Sequence, residues 1–65
     1  MKEKLHTALV SRYNAERDEA LATLAVYYNN ATGIGEHPQV VEEMSKQVEK
    51  LANASDCLEA LRGLK

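Results

Sequence analysis

Apolar residues in the second half of the chain recur at alternating intervals of three and four. Val41, Met44, Val48, Leu51 and Leu58 follow this rhythm, with Ser55 at the intervening position. That is the period of a helix holding one edge against a partner: a heptad seam with one small polar interruption. Val40, Ala52, Ala54, Leu61 and Leu64 broaden the stripe to the width a bundle helix needs. The pattern predicts a helix over about residues 38–62. Its charges agree, with Glu36, Glu42 and Glu43 near the start and Arg62 and Lys65 at the end, as the helix dipole favours. Glu42 and Lys46 are spaced to pair. Gly63 followed by Leu64 suits a glycine-ended terminus, with Leu64 clasped onto Leu58 or the methylenes of Glu59.

The first half is less regular. Leu5, Leu9, Val10, Tyr13, Leu21, Leu24, Val26, Tyr27 and Tyr28 supply its apolar positions, and alanines at 8, 15, 20, 22 and 25 add helix propensity. Residues 14–19, Asn-Ala-Glu-Arg-Asp-Glu, interrupt the stripe for more than a turn. No Gly or Pro breaks the helix there, so the reading is one continuous helix over about 2–29 with a polar waist. Between the helices, residues 30–37 carry Asn30, Gly33 and Gly35, with Pro38 after them. Asn and Gly tolerate the backbone angles that end a helix, and Pro fits a first helical turn. Ile34, apolar between glycines, is expected to plug the bundle end. The expected fold is all-α: a single-domain, two-helix antiparallel hairpin that dimerises into a four-helix bundle.

Dimerisation follows from size. At 65 residues a domain buries only roughly 60% of its unfolded surface, and domains this small need a staple. Cys57 is the sole cysteine, which excludes an internal disulfide. One Cys with His6 and His37 cannot furnish a four-ligand zinc cage. Association remains, and two hairpins across a two-fold axis are the simplest closure. The expectation is a homodimer, with a higher assembly or an unidentified protein partner as the alternative. The assigned core and interface residues are Leu9, Tyr13, Leu21, Leu24, Tyr28, Val41, Met44, Val48, Leu51, Leu58 and Leu61.

Charge narrows the partners. Eight basic against ten acidic residues give a net charge of -2, without the basic excess of a nucleic-acid module. No apolar run has membrane length and the start does not read as a signal peptide, so the expectation is a cytoplasmic protein with no membrane contact. Asn30-Ala31-Thr32 and Asn53-Ala54-Ser55 are then chance matches to the glycosylation pattern.

The residues able to carry chemistry all have plainer readings. Glu3 and His6 have the Glu-x-x-His spacing of carboxylate-bridged metal sites, but no second such pair exists and both lie in a terminal turn. His37 could act as a base oriented by Glu42. With no nucleophile or phosphate cradle nearby, Glu36-His37-Pro38 reads as a helix start. Cys57 lacks the neighbouring cation of a reactive thiol and reads as a small, partly buried apolar residue. Tyr27 and Tyr28, without basic neighbours, read as caps with rings inside and hydroxyls in water. No catalytic residue, cofactor or metal is assigned, and the chain offers too little room for a pocket.

The run from Tyr28 to Met44, with its Gly-Ile-Gly-Glu-His-Pro helix start, resembles small uncharacterised helical-hairpin proteins of tailed phages and marine metagenomes. That likeness implies a cytoplasmic setting, in the host if phage-encoded, and no particular activity. In length and architecture the chain also resembles the small RNA-binding hairpin dimers that regulate plasmid copy number. Their contact residues have no counterpart here. The leading expectation is a non-enzymatic interaction or assembly module that self-associates through apolar helix faces. The alternative is a dimeric RNA- or DNA-binding regulator using Lys2, Lys4, Arg12 and Arg17.

Overall fold

A computed structural model of the chain describes residues 2–30 and 39–64. Helix α1 spans Lys2–Asn29 and helix α2 spans Gln39–Arg62, and the described residues contain no strand. The chain is an all-α helical hairpin. Residues 31–38 lie outside the described residues, and with them Ile34, His37 and the Glu36-His37-Pro38 helix start. α1 passes through its polar waist unbroken, since every residue from 14 to 19 retains helical backbone bonding without a Gly or Pro to interrupt it. It ends where Asn30 turns back, its amide and side-chain Nδ2 both donating to the Val26 carbonyl, at 3.1 and 2.9 Å.

Cross-helix bonds fix an antiparallel register. Tyr27 pairs with Glu43 and Glu19 with Lys50, and Tyr13 lies near Cys57 in the same register. Paired residue numbers thus sum to about 70, so the two helices lie level along most of their length. The particle measures 50 × 14 × 12 Å.

The seam repeats at four and three on both helices. On α1 the inward residues are His6, Val10, Tyr13, Arg17, Ala20, Leu24 and Tyr27. On α2 they are Val40, Met44, Gln47, Leu51, Ala54, Leu58 and Leu61. Only Ala20, Leu24, Ala54 and Leu61 are buried outright, the two alanines completely. Fully buried alanines on both helices let the backbones approach closely.

This seam differs from the expected one. Met44, Leu51 and Leu58 belong to both, but Val41 and Val48 stand 70% and 50% exposed, and Ser55 is exposed too. The broad stripe of α2 is wider than one helix can cover. Turning its Val40–Ala54–Leu61 edge inward admits Ala54 and Leu61 to the contact and leaves the Val41–Val48 edge outside. Two terminal expectations also fail. Glu42 and Lys46 do not pair, whereas Arg62 and Glu59 do, at 3.5 Å. Leu64 does not clasp the helix end. It is 71% exposed, and α2 closes in a tight turn through Gly63 N–H to Ala60 O and Leu64 N–H to Leu61 O, both 3.1 Å.

Candidate interaction surface

Lettering the seam positions a and d, as in a coiled coil, assigns every other residue to a row. In an antiparallel pair the two e rows flank one side of the seam and the two g rows the other. The bonds to Glu43 and Lys50, both g residues of α2, come from Tyr27 in row d and Glu19 in row c of α1, the rows on the g flank of that helix, so the g rows share a side. The e rows therefore share the opposite side.

On the e side, α1 presents Leu21 and Tyr28 and α2 presents Val41 and Val48, 48%, 70%, 70% and 50% exposed. The register sets Leu21 level with Val48 and Tyr28 level with Val41. Between and beside them, in the adjoining b rows, are Ala25, Ser45 and Ala52, all exposed. No residue of these rows carries a charge from Leu21 to Tyr28 or from Val41 to Ser55. Each e residue fills the wider side of an a-d-e stripe, the width of a helix with two neighbours rather than one.

The g side is polar. The Tyr27 hydroxyl donates to Glu43 Oε2 at 2.7 Å, and that bond, with partial desolvation, raises the tyrosine pKa above its ordinary value. Lys50 Nζ is ion-paired with Glu19. Cys57 approaches Tyr13 from across the seam and its interaction raises the Tyr13 pKa, and the Cys57 thiol faces Asn53 Oδ1 at 4.0 Å. Cys57 is a half-buried free thiol. Tyr27 is half-buried with its hydroxyl at the exposed edge, where it also meets the Glu43 carboxylate. Tyr28 caps nothing within the hairpin.

At the open end the g side widens into a groove of about 950 Å³ lined by Leu5, Leu9, Leu61 and Leu64, with Lys2, Glu3, His6 and Thr7 at its rim. The expectation of too little room for a pocket is therefore corrected. Among the described residues no three His, Cys, Asp or Glu side chains are grouped to hold a metal ion. Nor is either helix long and apolar enough to cross a membrane.

The assigned core and interface residues thus divide in two. Tyr13, Leu24, Met44, Leu51, Leu58 and Leu61 meet across the seam, whereas Leu21, Tyr28, Val41 and Val48 gather on the e side. Leu9, 43% exposed, belongs to the groove. The four basic residues of the nucleic-acid alternative do not converge. Lys2, Lys4, Arg12 and Arg17 fall in rows g, b, c and a, around the whole circumference of α1. Arg17 is half-buried in the seam, 3.6 Å from Asp18. Sequence reasoning missed Gln47, a seam residue whose buried Oε1 has no hydrogen-bond partner among the described residues. Its signal was its place three residues after Met44 and four before Leu51.

No family model matches this sequence, and no curated protein or solved structure shows significant similarity to it.

Proposed function

We propose that the chain is a self-associating helical module whose work is protein–protein assembly rather than catalysis. The observation that carries this reading is surface. The hairpin exposes 5261 Å², whereas a compact folded chain of its 7.2 kDa mass exposes about 4,100 Å². The excess of roughly 1,100 Å² matches the ~800 Å² that each partner contributes to a standard stable interface. Its radius of gyration, 15.1 Å, likewise exceeds the ~11 Å of a compact chain of this length. Leu5, Leu9, Leu21, Val26, Tyr28, Val41, Val48 and Leu64 are among the exposed residues, and the hydrophobic effect favours removing them from water.

The occupant proposed is a second copy, because two hairpins side by side complete a four-helix bundle with no further component. Sedimentation equilibrium over a dilution series tests this. The expected result is a mass twice 7.2 kDa that falls to the single-chain value on dilution, with the melting temperature falling in step. A single-chain mass at every concentration, with a cooperative melt independent of concentration, overturns it.

A further inference from the structure

We infer that the second copy docks on the e side, through Leu21, Tyr28, Val41 and Val48, with the loop-connected ends of the two hairpins lying together. The inference rests on the self-association reading above and adds the face and the direction to it.

Two apolar surfaces compete for that role, and the structure separates them. The groove at the open end has Lys2, Glu3 and His6 in its lining and occupies one end of the particle. The e side draws evenly on both helices, and its stretch toward the chain reversal, Leu21 to Tyr28 and Val41 to Ala52, bears no charge. In a two-fold dimer each patch meets its own copy, so any charge at the centre would face its like. An uncharged patch avoids that repulsion among the large residues. The exposed Ala25, Ser45 and Ala52 between the large residues are small enough for two helix pairs to approach closely.

Direction follows from where the patch lies. The four large residues all occupy the half of the hairpin nearest the chain reversal. The e and b rows of the other half hold polar and charged residues, among them Ser11, Asn14, Glu59 and Arg62. Full-length overlap with the hairpins pointing opposite ways would set Leu21 and Val48 against that polar half. Overlap of the apolar halves alone would use about half of a face measuring 50 by 14 Å, or roughly 350 Å² in projection, well short of a standard partner's share. Overlap along the whole length with both reversals at one end places apolar against apolar and polar against polar.

Two measurements test face and direction. Leu21→Asp with Val48→Asp is expected to weaken dimerisation at least about 100-fold in sedimentation, whereas Leu9→Asp on the other side leaves the mass unchanged. Both residues are half-exposed in the single hairpin, so helix content by circular dichroism should persist. Should the aspartates cost helix, Leu21→Ser with Val48→Ser replaces them. A dimer unmoved by either pair overturns the face while leaving self-association standing. A wild-type chain that never dimerises removes both. For direction, a spin label at Arg62→Cys in a Cys57→Ser background is expected to give an inter-copy distance within roughly 30 Å, the width of a four-helix bundle with its label tethers. Any longer distance overturns the shared-end arrangement, because hairpins pointing opposite ways part the two Arg62 positions by roughly 30 Å along the bundle before its width and the tethers are added.

Discussion

The e side and the g side of the hairpin flank the same seam, yet they satisfy their edge residues by different means. On the g side, Glu43 and Lys50 find partners across the seam in Tyr27 and Glu19, so these polar edge residues are satisfied within one chain. On the e side, Leu21, Tyr28, Val41 and Val48 have no polar groups to exchange, and apolar side chains on a two-helix edge cannot be covered by the two helices that carry them. The contrast teaches how a short chain divides its work. Polar pairs set the register of the hairpin, and the apolar residues left outside supply attraction for something else. Direction-dependent bonds suit alignment, whereas non-directional burial suits association.

The most drastic way to break this contrast is to destroy the seam both sides share. Leu51→Asp sets a carboxylate among apolar side chains and is expected to cost about 3 kcal/mol or more, unfolding the hairpin or separating any assembly. Circular dichroism and sedimentation on one sample read both outcomes; an unchanged mass with an unchanged melt refutes the seam. Next in size is a matched comparison of the sides. Val48→Lys on the e side should lower the melting temperature at high protein concentration and matter little when dilute. Thr23→Lys on the g side should stay within about 0.5 kcal/mol at either concentration.

Gln47→Met sharpens the picture in the opposite sense. Removing an unpartnered buried carbonyl while keeping the side chain's length is expected to stabilise the hairpin by about 1 kcal/mol, seen as a higher denaturant midpoint at constant slope. Lys50→Ala removes the ion pair with Glu19 on a largely exposed side. The loss should be about 0.2–1 kcal/mol and should shrink in high salt.

The smallest effect concerns Tyr27. Its pKa in the folded chain lies above the ordinary value of 10.0 because the protonated hydroxyl donates to Glu43. The stabilisation is thus fully present below pH 10 and is lost as pH rises through the raised folded pKa. Tyr27→Phe should melt at a slightly lower temperature than the wild type at neutral pH, and the gap should close in strongly alkaline buffer. A gap that persists there would show that the hydroxyl contributes nothing through its proton.

Much of this architecture was legible in the residue order, and the part that was not has a specific cause. Two candidate seams run along α2, one through Val41, Val48 and Ser55 and one through Val40, Gln47 and Ala54, and they share Met44, Leu51 and Leu58. Periodicity favours neither strongly, because one carries a serine and the other a glutamine. On α1 the true seam includes His6 and Arg17, so counting apolar residues hides it and draws attention to Leu9, Leu21 and Tyr28 instead. The e-side residues were identified as interface candidates, but that they form one patch could not be read from their numbers. Leu21 and Val48 are 27 positions apart, and only the register brings them level.

Sequence by itself determined the number of helices, their approximate limits and their unbroken course, since these depend on propensity and punctuation within a few residues of each position. Tertiary structure decided the rotation of each helix about its axis. That choice belongs to neither helix alone. It is settled where Ala20 and Ala54 let the backbones close, burying Leu24 and Leu61 and leaving Leu21, Tyr28, Val41 and Val48 together facing water.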